Sequence, residues 1–255
     1  MTQRPPIESV DRAVRVLKAL ASAGPSGVTL VELAGQVELN KATTHRMLAA
    51  LKYRDFAAQD LQSGRYLLGG AAGELGAVFF NNENLAAMVH PALLALSSNI
   101  SELIHLGMLN GAKIVYLDKV EPDRAVRVFS AIGSAVPAVS TAMGRALLAA
   151  RGIQEQELAP YMEAVAAGTR PAALKVEDVW RQLEFARSNG YAREDQENEE
   201  GISCIAVPLF RGTRPIAAVS ITAPAERMTT QRMAELYGTI LADLGPMLPP
   251  GLSLE

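Results

Sequence analysis

The sequence has little of what disulfide and metal sites require. It contains one cysteine, Cys204, which excludes an intrachain disulfide and a cysteine-rich zinc site. Its three histidines, His45, His90 and His105, lie far apart in the sequence and leave little material for a histidine metal centre. We therefore expect no metal and no cofactor.

Long hydrophobic runs are missing as well, although 49% of the 255 residues are hydrophobic. No apolar stretch approaches the roughly 20 residues that a membrane span needs. The N-terminal segment MTQRPPIESVDR has no apolar core for a signal peptide. We expect a cytoplasmic protein that does not bind membranes, with enough chain for one large domain or two small ones.

The sequence also lacks common enzyme signatures: GxSxG, the P-loop, the Rossmann glycine fingerprint and HExxH. Cys204 could in principle form a nucleophile–base pair with His90 or His105. However, the surrounding Ile-Ser-Cys-Ile-Ala-Val predicts a buried strand, where a thiol is inert. We predict no catalytic residues and no enzymatic activity.

The net charge of −3 hides an uneven distribution. Residues 1–69 contain nine Lys and Arg against six Asp and Glu, whereas residues 70–255 contain 15 against 21. A basic N-terminal module on an acidic body is typical of a DNA-binding domain attached to a second domain.

Three short helices are predicted in the first 55 residues. The first is expected to start at an N-cap, Ser9, and its apolar face includes Val10 and Val14. The capping box Thr29-Leu-Val-Glu32 starts the second helix, and Asn40 caps the third. Together these patterns predict a helix-turn-helix.

A hairpin is predicted to follow these helices. Residues 56–60 and 65–68 are expected to form strands around a turn at 61–64. Three helices and a hairpin within 69 residues predict a winged helix-turn-helix, and Gly69-Gly70 predicts a hinge after it.

The exposed face of the third helix is the candidate DNA contact. Short or polar residues near its N-terminus let the backbone approach base edges, and cations beside them bind phosphates. A merely solvated helix face is the alternative. The predicted DNA-binding residues are Lys41, Ala42, Thr43, His45 and Arg46 on the helix and Arg65 on the wing.

The rest of the chain predicts a linker and an α+β domain. Residues 71–98 are helical and apolar, and we expect them to pack against a partner subunit or the C-terminal domain. Asn110-Gly111 is a strong hairpin signal. Mixed hairpins and helices predict a mostly antiparallel sheet. Further strands are expected at 126–130, 202–210 and 215–222, and helices at 141–151, 155–167, 176–189 and from 229 or 230.

Motifs along nearly the whole chain resemble the isocitrate lyase regulator (IclR-type) family of bacterial transcription regulators. In the N-terminal part the matching stretches are Val28-Thr-Leu-Val-Glu-Leu-Ala34, Leu39-Asn-Lys-Ala-Thr-Thr-His-Arg-Met-Leu48 and Gly64-Arg-Tyr-Leu-Leu-Gly69. In the C-terminal part they are Val115-Tyr-Leu-Asp-Lys119, Gly133 with Pro137, Thr141-Ala-Met-Gly-Arg-Ala-Leu-Leu148, Gly190-Tyr-Ala192 and Gly201-Ile-Ser-Cys-Ile-Ala-Val-Pro208.

The resemblance implies a three-part chain: a winged helix-turn-helix over 1–70, a linker helix over 71–98 and a GAF-like effector-binding domain over 99–255. It also implies dimers that often pair into tetramers. The sequence departs from the family at Ala42, where Ser is frequent, and at Arg145, where Lys is common. Because Arg145 keeps the charge, we expect little functional change from it.

An effector pocket is predicted around the helix that follows Ser140-Thr141. The N–H groups of Ala142 and Met143 at its start favour an anion. Ser220 and Thr222, two apart on a strand, share one face. The resemblance assigns these elements and Cys204 to the pocket, and puts Glu194 where the family usually has Asp. Alternatively, Cys204 is only a core residue and the acidic run 194–200 a solvated loop.

We therefore predict a transcription regulator that binds double-stranded operator DNA as a homodimer or dimer of dimers. The resemblance favours a small carboxylate effector, such as a sugar-derived or aromatic acid of catabolic metabolism. Repression and activation both remain open. The alternative is a small-molecule-sensing protein or an enzyme that does not bind DNA.

Overall fold

In the computed structural model the chain forms two compact units, residues 1–83 and 84–255. The structure describes residues 5–81, 85–122, 130–166 and 174–254, and of residues 77–81 only the backbone. The boundary between the units falls within the predicted linker, and the three-part division remains a prediction.

The N-terminal unit is the winged helix-turn-helix that the sequence predicts. The capping box forms as expected: the Thr29 hydroxyl accepts the Glu32 N–H, and the Glu32 carboxylate accepts the Thr29 N–H. The elements are α1 (Glu8–Ala23), α2 (Leu30–Gln36), α3 (Lys41–Tyr53), β1 (Ala57–Gln59), β2 (Tyr66–Leu68) and α4 (Gly70–Asn81), with β1 and β2 antiparallel.

The first helix differs from its prediction in two respects. It follows Ile7, which makes no side-chain cap, so Ser9 is not the N-cap. Val16 and Leu20 are buried, whereas Val10 and Val14 are exposed. Sequence periodicity predicts the spacing of apolar residues, but the core covers only the second half of this helix.

Gly69, predicted as part of a hinge, is a close-packing position. It is buried, and its N–H donates to the Phe56 carbonyl at 3.0 Å. A Cβ at Gly69 would lie 2.1 Å from the Asp55 carbonyl oxygen. Glycine is therefore needed here because two backbone segments approach closely.

The C-terminal unit is an antiparallel sheet between two helical layers, which confirms the predicted α+β class. The strand order is β5-β4-β3-β8-β7-β6, with β9 also on β7, and every pairing in the described residues is antiparallel. The strands are β3 (Leu103–Asn110), β4 (Lys113–Val120), β5 (Ala135–Pro137), β6 (Ala192–Asp195), β7 (Ile202–Arg211), β8 (Arg214–Pro224) and β9 (Leu252–Ser253). The helices are α5 (Leu85–Ile100), α6 (Ala142–Ala150), α7 (Ala159–Ala166), α8 (Val176–Asn189) and α9 (Thr230–Thr239).

The two faces of the sheet pack on different helices. Residues such as Ile104 and Ile205 point to the face covered by α5 and α9. Ala206 and Ala218 point to the other face, covered by α6 and α8. Small side chains on this second face let α6 lie close to the sheet.

Several predicted elements differ in detail. The β3–β4 loop is Gly111-Ala112 rather than Asn110-Gly111, because Asn110 pairs with Lys113. Gly111 has a φ of +58°, which suits glycine at the first loop position. The helix expected at 155–167 begins only at Ala159, next to Pro160, because proline is tolerated in the first turn of a helix but not in its interior. Of the strand predicted at 126–130, residues 126–129 lie outside the described residues.

Candidate functional site

The N-terminal half of α3 presents the polar face that the sequence predicts. Asn40 caps the helix, with Oδ1 accepting the Thr43 N–H at 2.8 Å. Thr44 and Leu48 are buried in the core and turn the opposite face outward. Of the predicted DNA-binding residues on this helix, Lys41, Ala42, His45 and Arg46 are exposed and Thr43 is half-buried.

This face carries two cations that can meet phosphates. Within the described part of the chain, neither Lys41 nor Arg46 has an ion-pair partner. The short Ala42 side chain between them allows a close approach of the backbone. The surface thus suits DNA both electrostatically and sterically.

Arg65, the predicted wing contact, is held within its own domain. Its Nη1 donates to the Gly27 carbonyl at 2.9 Å and lies 3.6 Å from a carboxylate oxygen of Glu32. Its side chain is still partly exposed. A role in DNA binding remains a prediction, and a structural role in docking the wing is visible beside it.

All six predicted effector-binding residues line one small cavity in the C-terminal unit. The cavity has a volume of about 20 Å³. The residues come from the start of α6 and from three adjacent strands; they are Ala142, Met143, Glu194, Cys204, Ser220 and Thr222. Tertiary structure therefore brings together residues that are far apart in the sequence.

Strand register explains this convergence. Glu194 pairs with Cys204, and Cys204 pairs with Thr222, so the three side chains form a row across β6, β7 and β8. On β3, a Cβ at Gly107 would lie 3.0 Å from the Met143 sulfur. The glycine thus makes room for the first turn of α6 against the sheet.

The N-terminus of α6 forms one end of the cavity. Thr141 caps the helix, its hydroxyl accepting the Gly144 N–H at 3.0 Å. The N–H groups of Ala142 and Met143 belong to the first turn, which has no intrahelical acceptors. Together with the helix dipole they favour an anion.

Glu194 is a buried carboxyl group in the cavity wall, only 2% exposed. Its Oε1 accepts the N–H groups of Glu197 and Asn198 at 2.6 and 3.0 Å. Burial raises the pKa of Glu194 to about 7, although these hydrogen bonds and the charge of Arg145 oppose the rise. The alternative of a solvated loop over 194–200 is therefore wrong for this residue.

His105 and Tyr116 also line the cavity. The sequence raised His105 only as a possible base for Cys204, and it did not single out Tyr116. His105 Nε2 lies 2.8 Å from the Ser130 hydroxyl, and Nδ1 lies 3.4 Å from that of Thr222. Burial first, and then the charge of Lys119, lowers the pKa of His105 to about 4, so its imidazole is neutral at pH 7. A polar residue amid an apolar strand was the signal available in the sequence.

A larger cavity adjoins the first. Its volume is about 260 Å³, and the two share His105, Tyr116, Asn198, Cys204 and Thr222. The inner cavity holds little more than a water molecule, so the outer one offers the space for the body of a ligand. The other residues of its wall are Ser130, Ala131, Ser134, Val136, Glu199 and Ile202.

Arg145 is a functional candidate that the sequence underestimated. It is 1% exposed, and its guanidinium bonds both carboxylate oxygens of Glu197. It also donates to the carbonyls of Val139 and Arg193. A lysine amine cannot reproduce this forked geometry. The expectation of little functional change from Arg at this position stays a prediction, and the forked bonds argue against it.

Two kinds of site are not formed by the residues that the structure describes. No group of three or more His, Cys, Asp or Glu side chains among them is placed to hold a metal ion. None of the described helices is long and apolar enough to cross a bilayer.

Family models match both parts of the chain. The IclR helix-turn-helix domain matches residues 9–61, and the bacterial transcriptional regulator IclR C-terminal domain matches residues 78–243. The HTH-type transcriptional regulator KdgR of Escherichia coli K12 is 34% identical over 232 residues, which are 90% of this chain and 87% of that protein.

Solved structures match the same architecture. The Thermotoga maritima IclR structure has a TM-score of 0.69 and 27% identity, and the match covers 92% of this chain and 95% of that one. An IclR homolog from Microbacterium hydrocarbonoxydans, complexed with 4-hydroxybenzoate, has a TM-score of 0.68 over 93% and 99% of the two chains. At 20% identity this second likeness shows the fold alone. Because the two family models match most of the chain and KdgR is 34% identical to it, the chain belongs to the IclR family of bacterial transcriptional regulators.

Proposed function

We propose that this regulator binds operator DNA through α3 and that a small carboxylate, bound in the C-terminal cavity, controls it. Control by a ligand is supported by one observation: residues from α6, β6, β7 and β8 line a single cavity at a helix N-terminus. The DNA-binding part of the proposal rests on Lys41 and Arg46 of α3, which are exposed and have no ion-pair partner among the residues that the structure describes.

In the proposed DNA complex, Lys41 and Arg46 meet phosphates while Ala42, Thr43 and His45 face base edges. Only part of the Arg65 guanidinium is available to DNA, because the group already donates to the Gly27 carbonyl and pairs with Glu32. The protein acts as a homodimer or dimer of dimers, since one winged helix reads only a few base pairs. Operator DNA as the target also implies a cytoplasmic location. A gel shift with DNA from upstream of its own gene tests this half, with a scrambled sequence as the control.

The proposed ligand is a monocarboxylate with a hydroxyl or keto group. Its carboxylate accepts from the N–H groups of Ala142 and Met143, and its body extends into the 260 Å³ cavity. Glu194 at the far wall disfavours a second carboxylate on the ligand when it is ionised. Ser220 and Thr222 supply hydroxyls for the polar group.

A thermal-shift screen tests this site with pyruvate, D-gluconate and 4-hydroxybenzoate as probes. A probe at 100 times its dissociation constant adds about 2.7 kcal/mol of stability, which raises the melting temperature by several degrees. Ala142→Phe should abolish the shift and leave operator binding intact. Ala150→Phe adds the same bulk to the same helix outside this cavity and should keep it. A probe that still shifts Ala142→Phe normally binds elsewhere.

We propose no catalytic role for Cys204. Burial and then the charge of Glu194 raise the pKa of its thiol, which opposes formation of the nucleophilic thiolate. Its polar neighbour is the Thr222 hydroxyl at 3.2 Å. The thiol serves the cavity as a weakly polar wall.

A further inference from the structure

Arg145 is a buried cation that ties α6 to the segment after β6. Its Nη2 and Nη1 donate to the two carboxylate oxygens of Glu197 at 2.8 and 3.0 Å. Its Nε donates to the Val139 carbonyl at 2.8 Å, and Nη1 also donates to the Arg193 carbonyl at 2.9 Å. These bonds connect α6, whose N-terminus lines the inner cavity, with β6 on the opposite side of that cavity.

The segment held by Arg145 forms a wall of both cavities. Glu197 also accepts the Asp195 N–H at 2.9 Å, and Glu194 accepts the N–H groups of Glu197 and Asn198. Asn198 lines the inner and outer cavities, and Glu199 lines the outer one. The position of this turn therefore depends on a chain of bonds that begins at Arg145.

We propose that Arg145 is a positioning residue for the ligand site, which acts through Glu197 to latch residues 194–199 over the cavity. The proposal rests on the ligand site proposed above. Glu197 is a quarter exposed, so water reaches this end of the pair, whereas Arg145 is enclosed. When the pair opens, the turn leaves the cavity wall, and ligand enters or leaves there.

The single thiol provides a reporter that requires no ligand. Cys204 is the only cysteine in the chain and lines both cavities. Cys204 is already partly exposed in the structure, so its labelling rate with 5,5′-dithiobis(2-nitrobenzoate) has a basal part, and opening of the turn over residues 194–199 adds to it. Glu197→Gln is isosteric but loses the charge and one acceptor for Arg145. Weakening a charge-assisted pair should raise the labelling rate roughly tenfold.

The urea dependence of the labelling rate distinguishes local opening of the latch from a general loss of stability. Local opening of the latch exposes little surface, so the added labelling should be nearly independent of low urea concentrations. Global unfolding would instead accelerate labelling steeply with urea. Glu102→Gln is the control, because it weakens another Glu–Arg pair outside both cavities, in which Glu102 is buried and bonds the more exposed Arg227 at 2.8 Å.

Faster, urea-independent labelling in Glu197→Gln alone supports the latch. The latch is overturned if the labelling rate of Glu197→Gln is unchanged or rises only in proportion to global unfolding by urea. It is also overturned if Glu102→Gln shows an equal increase. Because labelling needs no ligand, a failed probe screen would contradict the ligand site without changing this result. Conversely, if a probe raises the melting temperature but Glu197→Gln shows no faster, urea-independent labelling, the ligand site stands and the latch alone is overturned.

Discussion

Arg145 and Glu197 face each other through two parallel hydrogen bonds, of 3.0 and 2.8 Å, and the guanidinium end of this pair is enclosed in the protein. The pair joins α6 to the turn that follows β6. Burial of such a pair is not by itself stabilising, because desolvation offsets much of the attraction. Its consequence is positional: without Glu197 the enclosed Arg145 loses its counter-ion, and without Arg145 the turn that carries Glu197 loses its bond to α6.

Arg145→Lys should therefore destabilise the C-terminal unit even though the charge is kept. We expect a loss of roughly 1–3 kcal/mol, because an amine cannot bond two carboxylate oxygens and two carbonyls at once. Urea unfolding measures the loss. Arg227→Lys, at a more exposed pair with Glu102, should lose less. Equal stability of Arg145→Lys and the unchanged protein would contradict the importance of the fork.

Operator binding should depend strongly on salt. Arg46→Ala removes about one phosphate contact and should flatten the slope of log K against log salt by roughly one unit. Lys41→Ala should act similarly or weaken base discrimination. Titrations by fluorescence anisotropy at several salt concentrations measure both effects. Arg181→Ala, an exposed cation in the C-terminal unit, serves as the control and should leave the slope unchanged. If the two α3 variants also leave affinity and slope unchanged, α3 is not the contact.

Glu194 should make stability fall as the pH rises from 4.5 to about 7. In this window the folded protein keeps a proton on Glu194 that the unfolded chain has released, so deprotonation favours unfolding. The pKa difference corresponds to roughly 3 kcal/mol. Glu194→Gln has no carboxyl group to deprotonate. Its free energy of unfolding relative to that of the parent protein should therefore rise by up to roughly 3 kcal/mol between pH 4.5 and 8.

The comparison with the variant is necessary because His105 acts in the opposite direction. Its pKa is lowered from 6.5 to about 4, so stability falls as the pH drops through this range. The two effects overlap below pH 6.5 and partly cancel in the unchanged protein. Urea unfolding at pH 5 and 8 separates them, with Glu235→Gln on the exposed face of α9 as the control. A relative stability of Glu194→Gln that does not change with pH would refute a buried, proton-binding Glu194.

The protein should be at least dimeric in solution. Leu75 on α4 and Leu94 on α5 are exposed, as are Val10 and Val14 on α1, and a partner would cover such apolar side chains. The linker sequence predicts two apolar stripes for this contact, Leu75-Val78-Phe79 and Leu85-Val89. The side chains of Val78 and Phe79 lie outside those described, and the second stripe is not available, because Val89 is buried in the C-terminal core and Leu85 packs against it. Light scattering at micromolar concentration measures the mass. A particle of about 27 kDa, the mass of one chain, would contradict the prediction.

Elements with local signals were predictable from the sequence. Thr29 and Asn40 cap their helices as predicted, and Gly190 ends α8 in the left-handed region. Thr141 and Thr229, where helices were predicted to begin, are the N-caps of α6 and α9. Three short strands were missed: Ala135–Pro137, Ala192–Asp195 and Leu252–Ser253. Each has only two to four residues and forms by pairing with a longer neighbour, so its own sequence carries almost no periodic signal.

By itself the sequence determined most helix starts, the approximate hairpin positions, the polar face of α3 and the identity of the six cavity residues, because these follow from side-chain chemistry, spacing and family motifs. Only the tertiary structure decided that His105 joins the cavity, that Glu194 is buried and that Arg145 bonds Glu197. The physical reason is that burial and strand register are set by segments distant in the chain. The pKa values and the forked hydrogen bonds exist only once those segments have packed together.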